Sequence, residues 1–162
     1  MSQRIETTSS PAGVWVWLFP LAYGLHIAEE HWLHFPAWVS GLAGPFVSSP
    51  QFLLLNAIFW LLMVAAVLVI RARSSRAWLV VTLAAILGIN AALHLLGSIV
   101  TRTYSPGSVT AALLYVPLVV YALRQVLPWI SRGLAMRAGM LGAAIHGSVM
   151  LLVTHPSVLS AL

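Results

Sequence analysis

The stretch His26-Ile27-Ala28-Glu29-Glu30-His31-Trp32-Leu33-His34 lies inside an apolar run from Val14 to Phe35 and decides how the rest of the chain is read. The run is long enough to cross a hydrocarbon core, which takes about 20 mostly apolar residues. A carboxylate inside hydrocarbon costs several kcal/mol on insertion scales, so such groups face a protein interior and have a partner there. The chain has three acidic residues in all, and two of them, Glu29 and Glu30, stand side by side in this run. Acidic residues that are scarce elsewhere and concentrated in one membrane helix mark a site.

The 162 residues are 60% hydrophobic and 7% charged, with a mean hydropathy of +0.96. A soluble domain carries about a quarter charged residues, so the composition is that of an integral membrane protein. The chain has no cysteine, which removes disulfides, thiolate metal sites and thiol catalysis together. The net charge of +5 comes from arginines, with no lysine in the chain. They sit at segment ends without interleaved aromatics. That placement reads as topology and contact with anionic lipid, and it argues against nucleic acid as a partner. The polar stretch from Met1 to Gly13 does not read as a cleavable signal. The apolar run after it is too long for a signal core and carries the glutamate pair, so the first helix is expected in the mature protein.

Five segments read as spanning helices: Val14 to Phe35, Gln51 to Ile70, Ala77 to Val100, Val109 to Ile130, and Leu134 to Val153. Between the first two, Pro36 to Pro50 is rich in Gly, Pro and Ser yet still apolar, and is expected to lie in the interface or to re-enter. The other links are short, which makes successive helices antiparallel neighbours. The expected fold is therefore an all-α bundle of five transmembrane helices: a short cytoplasmic segment over residues 1–13 and one transmembrane domain over 14–162. With the N-terminus cytoplasmic, Arg4, Arg71, Arg73, Arg76, Arg124, Arg132 and Arg137 fall inside and only Arg102 outside. That bias predicts an N-terminus inside and a C-terminus outside; the expected location is a bacterial plasma membrane.

At about 100° per residue, His26, Glu29, Glu30 and His34 fall within an arc of roughly 140°. His31 points toward the flank of that face. On the third span Asn90 and His94 stand one turn apart, continued by Ser98 and Thr101. His146 is the ionisable residue of the fifth span, and Asn56 lies near the outer end of the second. At a rise of about 1.5 Å per residue, His26 and Glu30 lie roughly 18 to 24 Å from the inner end of their span, Asn90 and His94 about 20 to 26 Å, and His146 about 18 Å. Residues from three spans thus reach one depth in the outer half. The sequence predicts one buried cluster of His26, Glu29, Glu30, Asn90, His94 and His146, with His34 at its outer edge. His31 and His155 read as surface residues, and Gly139, Gly142 and Ala143 as packing positions.

Carboxylates combined with imidazoles match the ligand set of iron or zinc, as one ion or two, and a cation also supplies the partner that buried carboxylates need. The expected metal ligands are His26, Glu29, Glu30, His94 and His146, with Glu29 and Glu30 also the catalytic candidates; His34, Asn56 and Asn90 support the site or touch substrate. The spacing is neither that of carboxylate-bridged di-iron bundles nor an H-x-x-E-H zinc-peptidase motif, because Glu30 separates Glu29 from His31. The expected function is a metal-dependent membrane enzyme acting on a lipidic or other apolar substrate. In a hydrolase, zinc acidifies a water and a glutamate is the general base. In an oxidoreductase, iron activates oxygen; this is preferred, because a cysteine-free His/Glu site with more than three candidate ligands suits iron. The alternatives are a metal-free His/Glu isomerase, a proton or metal-ion transporter, and a structural subunit. The inner half holds few polar residues (Thr82, Tyr115, Tyr121), which speaks against a path through the bundle. A structural role leaves the carboxylates unexplained.

At these residues the chain resembles the HXXEE family of small membrane proteins, through His26-Ile27-Ala28-Glu29-Glu30, Asn90-Ala91-Ala92-Leu93-His94, the stretch from Tyr104 to Thr110, and His146. The resemblance runs from about Phe19 to His146. It supports the site, brings Tyr104 and Thr110 in as supporting or substrate-contacting residues, and implies no particular reaction.

Overall fold

The computed structural model describes residues 11–44 and 46–154, and these are helical with no strand among them. Arg4 and His155 lie outside the described residues. A 3-10 turn, Val14–Trp17, leads into α1 (Leu18–Trp32), followed by α2 (Phe35–Ala43), α3 (Ser49–Ala72), α4 (Leu79–Thr101), α5 (Ser108–Thr110), a π-helical turn Ala111–Tyr115, α6 (Val116–Val126) and α7 (Arg132–Thr154). From α5 through α6 the backbone stays helical, so the three pieces form one rod. Pro117 has no N–H to give the carbonyl of Leu113, and the wider π turn just before it absorbs that interruption.

Among the described residues, four helical stretches are long and apolar enough to cross a membrane: Ser49–Ala72, Ser74–Thr101, Ser108–Trp129 and Arg132–Thr154. The sequence leads one to expect a fifth over Val14 to Phe35, but that run is broken. Helix α1 has 15 residues and stops at Trp32. His34 then takes a left-handed φ of 58°, and Pro36 stands in the first turn of α2. A proline there cannot continue the ladder of α1 but is well placed to begin a helix, so the chain turns at His34 although Leu33 and Phe35 continue the apolar run. The segment after α1 is thus a nine-residue helix. It returns to α3 through a capping box in which Ser48 and Gln51 bond reciprocally. The Val47 N–H donates to the Val153 carbonyl at 3.1 Å and ties this return to the end of α7.

Helix α4 is the central element, packed mainly on α7 and α6, while α1 packs on α3. Small residues allow the closest approach: a Cβ on Gly142 would stand 2.5 Å from the Thr82 carbonyl oxygen, and the Thr82 hydroxyl donates to the Ala138 carbonyl at 3.1 Å. Gly139, on the same helix, would place a Cβ in open space, so of the expected packing glycines Gly142 makes the contact. The outside of the bundle is apolar, with Leu54, Leu61, Ile99, Leu113, Met140 and Leu151 each more than half exposed. Such a surface is far larger than a soluble monomer tolerates.

Candidate functional site

His26 and Glu30 stand one turn apart on α1, and α4 brings His94 against them. All three are buried. The Glu30 Oε1 lies 3.6 Å from His26 Nε2 and 3.1 Å from His94 Nε2. Among the described residues these three form the group able to hold an ion, each offering one ligand atom within 4.8 Å of the others. Around a tetrahedral ion with bonds near 2.1 Å, ligand atoms are separated by about 3.4 Å, close to both measured distances.

The far side of each imidazole is held by a hydroxyl. His26 Nδ1 is 2.8 Å from Thr110 Oγ1, and His94 Nδ1 is 3.1 Å from Ser105 Oγ. The Thr110 hydroxyl has one hydrogen and donates it to Glu29 Oε2 at 2.5 Å, so toward His26 it can only accept. The His26 nitrogen facing Thr110 is therefore the one that carries a proton, and in the neutral ring Nε2 presents a lone pair to Glu30. That Nε2 is buried without a hydrogen-bond partner. A lone pair facing a buried carboxylate is an uncompensated arrangement unless a cation or a proton lies between them. Fixing the outer ring nitrogen so that the inner one is free is what metal-binding histidines generally require.

Glu29 does different work from Glu30. It accepts from the backbone N–H groups of Gly107 at 3.1 Å, Val109 at 3.2 Å and Thr110 at 2.8 Å, and from the hydroxyls of Thr110 and Tyr104. The carboxylate thus meets the free N–H groups at the start of the helical rod, where a negative charge is favoured. Burial and the bond to Glu29 raise the Tyr104 hydroxyl above its ordinary pKa. Glu29 pins the 104–110 segment over the site, and through Thr110 it orients His26.

Gly107 closes the site from above with φ of 101°; a Cβ there would stand 2.7 Å from His26 Cε1 and 2.9 Å from His94 Cε1. The Tyr115 ring packs on His26 with centroids 4.5 Å apart, and His26 meets His94 edge to face at 4.8 Å. Glu30 and His94 open onto a cavity of about 210 Å3, walled by Phe35, Trp38, Phe46 and Phe52 and also lined by Tyr23, Asn56 and Asn90.

The structure thus brings His26, Glu30 and His94 together and sets Thr110, Glu29 and Tyr104 behind them. Asn56 accepts from the Tyr23 hydroxyl at 2.6 Å and donates to the Phe52 carbonyl at 2.9 Å. Asn90 borders the cavity. His146 is buried one cavity further in and lies outside the group of three. His34 is exposed in the turn between α1 and α2, away from the cluster, because the chain leaves helical geometry there. His31 is exposed, as its angle on the helix implies. Ser105, Gly107 and Tyr23 were not legible as site residues. Their signals were a Ser-Pro-Gly-Ser link longer than a tight turn and a tyrosine one turn before His26.

Long apolar helices around a buried His–Glu–His group under a glycine-closed loop define a small helical protein built on one polar site. The chain belongs to the HXXEE-motif family: the profile described as protein of unknown function with HXXEE motif matches residues 17–122. The match takes in α1, the histidine of α4 and the 104–110 segment, and stops before α7 and His146. No curated protein and no solved structure matches the chain.

Proposed function

We propose that the protein is an integral membrane enzyme in which His26, Glu30 and His94 hold one divalent ion, iron or zinc, and act on a lipidic or other apolar substrate in the adjoining cavity. The observation that carries this reading is the orphaned Nε2 of His26, turned toward a buried carboxylate by the chain Glu29–Thr110–His26. A cation held by His26, His94 and Glu30 would satisfy the His26 lone pair and the buried carboxylate at once. One ion suits the site better than two, because Glu29 is saturated by donors from the 104–110 segment. Two imidazoles and one carboxylate with open positions are the ligand set of non-haem iron oxygenases, which favours an oxidoreductase; the same set with a water is found in zinc hydrolases. When bound, the metal supplies either a redox couple or an acidified water. The chain supplies the rest: Thr110 and Ser105 orient the imidazoles, Glu29 holds the covering loop, and the aromatic wall keeps bulk water from the substrate.

The apolar exterior and the arginines support five spans, with α1 and its preceding turn crossing alongside the four longer helices. The exposed Arg71, Arg73 and Arg76 suit the cytoplasmic side of a plasma membrane, and the 104–110 segment then faces outward. A second reading is supported by the 3.1 Å separation of His94 and Glu30, itself a proton-sharing distance: a metal-free His/Glu pair that shuttles a proton on the same substrate.

Elemental analysis of the detergent-purified protein separates the two. About one iron or zinc per chain is expected in the wild type and in His146→Ala, with nearly complete loss in His26→Ala and His94→Ala. Wild-type protein that stays metal-free after incubation with ferrous iron and with zinc rules out the metal reading and leaves proton transfer.

A further inference from the structure

Beyond the His–Glu–His group, a second cavity of about 200 Å3 lies deeper in the bundle. Most of its wall is hydrocarbon, from Met63, Leu83, Leu87 and Ile145 among others, but Tyr115, His146 and Asn90 also line it. The Tyr115 hydroxyl, His146 Nε2 and Asn90 Oδ1 are all buried without a hydrogen-bond partner. Tyr115 is fully buried and His146 is 7% exposed, so bulk solvent does not reach them. Buried polar groups are almost always paired, and three orphans around one cavity point to a partner that occupies it.

We propose that this inner cavity binds an apolar alcohol, with Tyr115, His146 and Asn90 as the groups that receive its hydroxyl. A hydroxyl both donates and accepts, which matches the mixture on offer. Asn90 Oδ1 can only accept, Tyr115 can donate or accept, and His146 Nε2 takes either role by tautomer. A carbonyl oxygen, able only to accept, leaves Asn90 Oδ1 unserved. The apolar wall then takes the hydrocarbon body. An apolar cavity of about 150 Å3 accommodates benzene, so the present volume admits a larger, fused-ring body. Tyr23 and Asn90 line both this cavity and the outer one. Asn90 stands one helical turn from His94, and the Tyr115 ring lies against His26. A longer alcohol anchored here therefore extends toward Glu30 and His94. The inference rests on the metal-centre reading for the chemistry that follows binding, and names the substrate class for that site. It assigns His146 to substrate recognition.

The test uses the full chain in lipid nanodiscs and a matched pair of probes, 1-naphthol and 1-methylnaphthalene, titrated calorimetrically with empty nanodiscs subtracted. Metal content is measured on the same samples. The wild type is expected to bind the naphthol about tenfold more tightly than the hydrocarbon, the effect of a net hydrogen bond. Tyr115→Phe, which keeps the ring on His26, and His146→Leu should each lower that preference several-fold, and the double variant should bring it close to one while retaining metal. Equal affinity for both probes in the wild type, no saturable binding of either, or an undiminished preference in the double variant overturns the inference and leaves water as the occupant. Metal present with no preference refutes this inference alone; preference present with no metal refutes the metal centre alone.

Discussion

Replacing Gly107 with alanine perturbs the site at its tightest point. The added Cβ would stand 2.7 Å from His26 Cε1, 2.9 Å from His94 Cε1 and 3.0 Å from His94 Nδ1, and φ at this position is +101°. A side chain in the left-handed region costs about 1–2 kcal/mol, and forcing a carbon into a filled space about 1–3 kcal/mol more. The backbone has little freedom to retreat. The Gly107 N–H donates to Glu29 at 3.1 Å, and its carbonyl accepts from the Ala111 N–H at 2.9 Å. The rings have little more, since Thr110 and Ser105 hold their outer nitrogens. Some of the strain must therefore move His26 and His94 relative to Glu30. Disturbing the residues that orient metal ligands costs about 10–100-fold in affinity, and a comparable loss is expected here. Competition against a chromophoric chelator measures it, with thermal unfolding as a check on the fold. Gly139→Ala is the control, because a Cβ there meets nothing. Wild-type metal affinity in Gly107→Ala, with the fold intact, would refute the idea that the 104–110 loop closes on the two imidazoles.

The two glutamates should separate in metal binding: Glu30→Gln abolishes it, whereas Glu29→Gln and Thr110→Val each weaken it about 10–100-fold, and the Glu29/Thr110 double variant is little worse than either, since both break one chain of hydrogen bonds. Because the Tyr104 pKa is raised in the folded chain, its contribution to stability is complete below pH 10 and is lost as pH rises through the raised value; the wild type should be more stable than Tyr104→Phe below pH 10, with the difference shrinking above it, and a difference that does not change with pH would count against that bond. Gly142→Leu should lower the unfolding temperature sharply by separating α4 from α7, whereas Gly139→Leu should not. For topology, cysteine placed at Ser49 should react with an impermeant thiol reagent on intact cells and cysteine at Ser74 should not; the opposite pattern would put the site on the cytoplasmic side.

The long helices were legible because apolar length is a strong signal: the expected Gln51 to Ile70 and Leu134 to Val153 appear as Ser49–Ala72 and Arg132–Thr154. The end of the first helix was hidden, since Leu33 and Phe35 continue the apolar run while His34 takes a backbone conformation that periodicity does not report. Within the site, His26, Glu30 and His94 could be grouped by helical face and depth alone. The division of labour between Glu29 and Glu30 could not. One position of helical rotation turns Glu29 to the rod that begins at Ser108, and only the path of the 102–107 link decides which carboxylate meets that rod. Depth likewise could not separate His146 from the others, because rise along an axis carries no lateral distance. Thr110 and Tyr104 entered through the resemblance of their stretch, and the reason for their presence is the Glu29 anchor.

The most direct test of the metal centre is X-ray absorption at the metal edge of protein loaded with one equivalent of iron or zinc. The expected fine structure contains the outer-shell scattering of two imidazoles together with a nearby oxygen ligand, and it should collapse to a hydrated ion in Glu30→Gln while persisting in His146→Ala. A fully hydrated ion in the wild type, or a spectrum unchanged by Glu30→Gln, would contradict a centre built from His26, Glu30 and His94.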